Sequence, residues 1–187
     1  MDQRDLVMRA KRGDQDAFAV LAGAAVARLD GAARLILRDA ELARDAVQDA
    51  MVRAWRDLPG LRDPDRFDAW LRKLTVNACI DVARRRRRRS IEVELTPILM
   101  PSIADESAGV AEREQLDDAL RRLDPEWRAI VVQHFFLGMP LAEISAAMGI
   151  PIGTVKSRLH RSLVAMRSTL SDADLDAIDP IPGGQFA

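Results

Sequence analysis

Six residues with cationic or hydrogen-bonding tips crowd one short stretch: Thr154, Lys156, Ser157, Arg158, His160 and Arg161. An arginine fork pairs with two acceptors on a guanine edge, while lysine, serine and threonine reach phosphates or bases. This set suits recognition of a polyanion and not bond making. The surrounding residues 141–161 hold a single acid, Glu143, which is sparse for an ordinary solvated face. A second cationic set is the unbroken arginine run 84–89. Such a run cannot pack against itself and binds phosphates with a steep dependence on salt. A helix C-terminus also attracts cations, but that accounts for one or two arginines and not six. Lys73, Asn77, Asp81 and Arg84 recur at steps of four and three, so they share a helix face leading into the run. Alone, that face reads equally well as a solvent surface.

The inventory for covalent chemistry is poor. Cys79 is the one cysteine and there are two histidines, which excludes an internal disulfide and argues against zinc. His134 falls in an apolar stretch, where a lone histidine is usually a satisfied core residue, and His160 belongs to the basic set. No tight acidic cluster points to a divalent metal. The expectation is a binding protein with no cofactor and no catalytic residues, hence not an enzyme. No apolar run approaches a membrane span, and the first five residues include Asp2, Arg4 and Asp5 where a signal peptide would be apolar. The reading is therefore soluble and cytoplasmic, without membrane insertion.

The 187 residues carry 28 Lys+Arg and 29 Asp+Glu, a formal net charge of −1. That balance conceals a segregation. Residues 66–90 hold nine bases and two acids; residues 91–126 hold three bases and ten acids. Residues 151–170 hold four bases and no acid, and 171–187 hold four aspartates and no base. Two basic blocks, each followed by an acidic stretch, suggest two polyanion-binding surfaces with acidic spacers.

The elements that must position these sets read as helices, since aromatics are 4% and tyrosine is absent. Asp14 can cap a helix carrying Phe18, Leu21, Ala25 and Leu29 on one face. Asp39 can cap the next, with Leu42, Ala46, Val47, Ala50, Met51, Ala54 and Trp55 as its stripe, stopped at Leu58, Pro59 and Gly60. After a polar loop, Phe67, Trp70, Leu71, Leu74, Ala78 and Val82 mark a long helix that runs into the arginines; Phe67 and Trp70 are assigned to its core side. Periodicity lapses over 90–111, where Pro97, Pro101 and Gly109 sit among acids, with an apolar patch at Ile98, Leu99 and Met100. A linker between two helical domains explains this better than a long structureless loop within one. Beyond it, Leu116, Leu120 and Leu123 mark one helix. Asp124 and Pro125 open another with Trp127, Ile130, Val131, His134 and Phe135, ended by Gly138. Pro140 opens a short helix stopped by Gly149, and Thr154 starts the last, with Val155, Leu159, Leu163, Met166 and Leu170 inward. A short helix, a glycine turn and a helix with a basic outer face form a helix-turn-helix.

Three segments carry a resemblance. DAELARDAVQDAMVRAW at 39–55 resembles the polymerase-binding segment of bacterial sigma factors, FDAWLRKLTVNACIDVARR at 67–85 resembles their promoter-melting segment, and GTVKSRLHR at 153–161 resembles their reader of the upstream promoter element. Their order, with only a short linker, resembles the small extracytoplasmic-function (ECF) sigma factors, which keep regions two and four. The resemblance implies an all-α fold of two small helical domains joined by a flexible linker. Region two would span 1–90, the linker 91–111, region four 112–170 and an acidic tail 171–187.

The resemblance also implies site roles. Asp45, Gln48, Asp49, Arg53 and Arg56 would face the clamp of the polymerase largest subunit, although their spacing fits a solvated helix side equally well. Arg62 and Asp63, with Asp65 nearby, lie where the family captures a flipped base of the minus-ten element. Arg72, Lys73, Asn77, Asp81, Arg84, Arg85 and Arg88 would add minus-ten contacts. Thr154, Lys156, Ser157, Arg158, His160 and Arg161 would read the minus-thirty-five element. Glu92, Glu94, Asp105 and Glu106 of the linker would either mimic nucleic acid or serve as a plain tether. Implied partners are core RNA polymerase, through its clamp and its flap, promoter DNA and an anti-sigma factor; the free chain would be a monomer. The rival reading is a stand-alone helix-turn-helix regulator, which would dimerise on symmetric half-sites.

Overall fold

The computed structural model describes residues 2–92 and 110–168. Among these, all regular structure is helical. The first lobe comprises α1 (Gln3–Ala10), α2 (Gln15–Leu37), α3 (Ala40–Asp57) and α4 (Phe67–Glu92). The second comprises α5 (Val110–Arg121), α6 (Pro125–Val131), a π-turn over Val132–Phe136, α7 (Leu141–Met148) and α8 (Ile152–Arg167). Glu94, Asp105 and Glu106, the apolar patch at 98–100, Leu170 and the acidic tail lie outside the described residues.

Local chemistry sets the helix starts. Asp14 accepts from the Ala17 N–H, Asp39 from those of Glu41 and Leu42, and Asp124 from that of Glu126. Each satisfies donors that a first helical turn leaves orphaned. Between α3 and α4 the chain makes two 3₁₀ turns, Leu58–Gly60 and Pro64–Arg66, the second capped by Asp63. α4 is the axial element. It packs on α2 and α3 and also meets α6 and α7, so Val76, Cys79 and Ile80 are buried along with Phe67, Leu71 and Ala78 of its main stripe. The buried Thr75 hydroxyl donates to the Leu71 carbonyl at 3.0 Å. The arginines 84–89 continue the same helix and are exposed.

The structure departs from the sequence reading at four places. α1 was not anticipated; Leu6, Val7 and Ala10 give it a buried edge of only three residues, too short for a periodic signal. α8 begins at Ile152, behind Pro151, and not at Thr154. The helix after Pro125 does not run regularly to Gly138 but widens into the π-turn, which buries Val132 and Gln133 and leaves Phe135 48% exposed. Trp70 is only half-buried, where a core position was expected.

The two lobes pack against each other. One hydrophobic cluster joins Ile36 and Ala33 of α2 and Cys79 of α4 to Leu123, Ile130 and Ile144 of the second lobe. Arg128, 6% exposed, donates from Nη1 to the Ile36 carbonyl at 2.8 Å and from Nη2 to the Leu123 carbonyl at 2.9 Å. It thereby satisfies an orphan carbonyl in the last turn of α2. At Gly31 a Cβ would stand 3.0 Å from the Phe136 ring, so a glycine permits the close approach of α2 to the π-turn.

Candidate nucleic-acid interface

The turn between α7 and α8 is fixed from three sides. Gly149 adopts φ 66°, a left-handed conformation costly for other residues. The Ser145 hydroxyl donates to the Ile150 carbonyl at 2.6 Å, and the Ile150 N–H returns to the Ser145 carbonyl at 3.3 Å. Burial of Val155, Leu159 and Met166 then fixes the rotation of α8. Lys156, Ser157, His160 and Arg161 are exposed, and Thr154 and Arg158 half-buried. The structure therefore presents all six predicted residues on the side of α8 turned away from its buried stripe. Ser157 donates back to the Thr154 carbonyl at 3.1 Å, an internal bond that a ligand must replace.

In the first lobe the predicted residues divide. Arg62, Asp63 and Lys73 line one cleft together with Arg66 and Trp70, of about 300 Å³. One Asp63 oxygen already accepts from the Asp65 N–H at 3.0 Å. Polar edges beside a half-exposed indole are the groups an extruded base needs; Trp70 was missed as a lining residue because it lies on the apolar stripe. Asn77 and Asp81 are half-buried further along α4, and Asp81 stands 3.8 Å from Arg53 of α3. Arg84, Arg85 and Arg88 are exposed. Arg72 is not brought to this group. It lines a separate groove with Gln3 and Asp68, and its buried Nε has no hydrogen-bond partner.

The outer face of α3 carries Asp45, Gln48 and Arg56 exposed, with Asp49 and Arg53 half-buried and paired at 2.7 Å. Arg56 pairs with Asp57 at 2.7 Å, and this hydrogen bond holds the Asp57 carboxyl below its ordinary range. Amid these polar groups Val52 is 61% exposed. The sequence did carry a signal for it, an apolar residue off the stripe, but one that periodicity treats as noise.

A further residue was missed altogether. Glu126, on the first turn of α6, lies between the two basic sets. Arg84 donates to its Oε1 from Nε at 2.9 Å and from Nη2 at 2.6 Å, and Arg158 donates to its Oε2 at 3.2 Å. The Arg84 hydrogen bond, with Arg158 adding to it, holds the Glu126 carboxyl below the usual range against partial burial. Asp124 stands 3.5 Å from Arg87, and Glu143 3.6 Å from Arg66.

Burial pushes the Cys79 thiol up to about 12, so it is protonated and unreactive at neutral pH. The ring of His134 meets the Met139 carbonyl through Nδ1 at 3.1 Å. No group of three acids, histidines or cysteines among the described residues could hold a metal ion, and no described helix is long and apolar enough to cross a membrane.

Residues 23–89 match sigma-70 region 2, and residues 113–166 match sigma-70, region 4. The chain is 36% identical over 145 residues to the RNA polymerase sigma-E factor of Streptomyces avermitilis, covering 78% of this chain and 80% of that protein. It is also 36% identical over 137 residues to the ECF RNA polymerase sigma factor SigL of Mycobacterium tuberculosis, covering 72% and 77%. Among solved structures it resembles CnrH in complex with the cytosolic domain of CnrY, with a TM-score of 0.64 and 30% identity over 94% of this chain and 97% of that one. The sigma factor RpoE from Bartonella quintana, solved with the anti-sigma factor NepR, shares the fold with a TM-score of 0.64 and 21% identity over 84% of this chain and 96% of that one.

Proposed function

Because this chain belongs to the extracytoplasmic-function sigma factors of RNA polymerase, we propose that its three polar helix faces divide promoter recognition between them. The protein is a promoter-specificity factor that acts in transcription initiation. The outer face of α3, with Asp45, Gln48, Asp49, Arg53 and Arg56 around Val52, docks on the clamp of the polymerase. The cleft of Arg62, Asp63 and Lys73, walled by Trp70, takes a base of the minus-ten element, and Asn77, Asp81, Arg84, Arg85 and Arg88 follow the strand. Arg72, on the other flank, contributes to the first lobe's field and not to that cleft. The exposed face of α8 reads the minus-thirty-five duplex in the major groove.

The protein makes no covalent bond. It favours melting by holding unstacked strand better than paired strand, which shifts the equilibrium by that difference in affinity. Two modest DNA sites on one polymerase gain from effective concentration. It acts in the cytoplasm, free as a monomer. An anti-sigma factor is a further partner, a reading supported by the RpoE structure, solved with the anti-sigma factor NepR, and by that of CnrH, solved with the cytosolic domain of CnrY.

The observation that carries the reading is three surfaces in the family order: one on α3, one on α4 and the turn before it, and one on α8. Purified core polymerase should retain the tagged chain, and the reconstituted enzyme should give discrete run-off transcripts from a random promoter library. Absence of any retention by core polymerase would overturn it. The rival, a stand-alone regulator, needs neither polymerase nor the α3 face and would dimerise on symmetric half-sites.

A further inference from the structure

A cleft that captures one base is only as selective as the loop that walls it. Leu61, Arg62, Asp63 and Arg66 form one side of the first lobe's cleft. The N–H groups of that loop bond locally: Leu61 to the Leu58 carbonyl at 3.0 Å, Asp65 to the Asp63 side chain at 3.0 Å and Arg66 to the Asp63 carbonyl at 3.2 Å. Its longer-range polar support comes from α1, more than fifty residues away in the chain. Lys11, at the end of α1, donates from Nζ to the Leu61 carbonyl at 2.6 Å. Arg4 pairs with the Asp65 carboxylate. Gln3 donates from Nε2 to Asp68 Oδ1 at 2.8 Å, in the first turn of α4. These contacts hold the loop at its start, its middle and the helix that follows. Beneath them Leu6, Val7 and Ala10 share one core cluster with Leu58 and Phe67, the residues that bracket the loop.

The polar groups of the loop divide by side. Arg62, Asp63 and Arg66 line the cleft, whereas the Leu61 carbonyl and the Asp65 carboxylate are taken by α1. Asp65, which the sequence placed beside the base site, therefore serves to hold the loop. Its pairing with Arg4 also offsets a negative charge that would oppose an approaching phosphate. Both partners are more than half exposed, and such a pair adds little to stability. Its consequence lies in where the loop sits. A loop ordered before binding spares the complex the entropy of ordering it.

We propose that Lys11 and Arg4 are positioning residues for base capture, and that α1 splints the loop 61–66 so that Arg62, Asp63 and Arg66 stand ready for an extruded minus-ten base. This rests on the reading of the cleft as the base site. The arginines that follow the strand begin at Arg84, about 25 Å further along α4 from Phe67. Loosening the loop should thus remove base-dependent affinity and spare phosphate-dependent affinity.

The test uses holoenzyme reconstituted from the full chain and core polymerase, with a promoter recovered from the run-off library. The minus-ten region is left unpaired, and a set of probes each lacks one base there while keeping its sugar and phosphate. Competition binding gives the ratio of intact to abasic affinity at each position. The parent should show a position where that ratio is about tenfold or more, the scale of one stacked base. Lys11→Met and Arg4→Gln should each lower the ratio about threefold and together bring it close to 1, with abasic affinity and polymerase retention held within about twofold. Lys11→Arg, which can donate to the same carbonyl, should restore it. Arg4 is exposed, so Arg4→Gln carries the test even where Lys11→Met lowers the melting temperature. An unchanged ratio in the double variant overturns the proposal. A ratio that falls only in step with abasic affinity also overturns it, because α1 would then support the lobe and not the loop. A parent holoenzyme with no abasic-sensitive position would overturn the reading of the cleft itself, and the splint with it.

Discussion

At single side chains the predictions separate by what each contact does. Lys156 offers a mobile point charge to phosphate, so Lys156→Ala should weaken duplex binding evenly across sequences and lower the salt slope by about 1. Arg161 offers a fork; if it reads guanine, Arg161→Ala costs about 1–3 kcal/mol at one base pair. Both are exposed and should leave retention by core polymerase intact, and normal transcription by both variants from a cognate promoter would refute the α8 assignment. Val52→Asp should do the reverse. An exposed valine carries little of the fold's stability, whereas a charge inside an apolar contact should weaken polymerase retention about tenfold or more, with melting temperature unchanged. Cys79 supplies a pH prediction. Its thiol ionises only near pH 12 in the fold against about 8.5 when unfolded. The folded state thus holds the proton more tightly, and this contribution, full below the unfolded value, is lost as pH rises from there towards 12. Alkylation by iodoacetamide should stay slow in the native protein from pH 7 to 9 and accelerate over the same range in denaturant.

The helices show why part of the architecture could be read in advance and part could not. Caps and stripes are local: Asp14, Asp39 and Asp124 each cap the helix the sequence assigns to them. Removing one should cost accordingly. Asp39→Ala takes away the acceptor for two N–H groups and the partner of Arg86 at 3.3 Å. It should cost about 1 kcal/mol, or about 2–4 °C in melting temperature by calorimetry. What escaped has a different origin. α1 is recognisable only through the core it seals with Leu21, Leu58 and Phe67. The π-turn answers to tertiary packing, because burying Val132 and Leu137, five residues apart, together demands a wider turn than an α-helix gives, and the Leu137 N–H donates to the Val132 carbonyl at 3.0 Å. Trp70 obeys its stripe and still reaches the cleft, since a stripe position at the edge of a packed face borders solvent. Arg72 shows the converse: it neighbours Lys73 in sequence, yet about 100° around a helix separates their faces.

Across the whole chain, the segregated charge announced two cationic surfaces but not their relation to the acids. The acidic stretch looked like a spacer because sequence distance is all that a charge count uses. In the folded protein Asp117, Asp124 and Glu126 face Arg38, Arg87 and Arg84, pairings that exist only once α5 and α6 lie against α2 and α4. The lobe contact thus combines ion pairs, some exposed and some half-buried, with buried apolar surface around Ile36, Leu123 and Ile130, and the two respond differently to salt. Screening shortens from about 10 Å at 0.1 M to about 3 Å at 1 M, while apolar burial does not depend on charge. Dyes placed at Arg44→Cys and Val164→Cys, both exposed positions on opposite lobes, should report an unchanged separation in the free chain over that range. DNA affinity with about four phosphate contacts should meanwhile fall about four thousandfold. Parting of the dyes at high salt would mean that ion pairs alone hold the lobes, and that the apolar contact and the Arg128 bonds to Ile36 and Leu123 contribute too little to keep the chain closed.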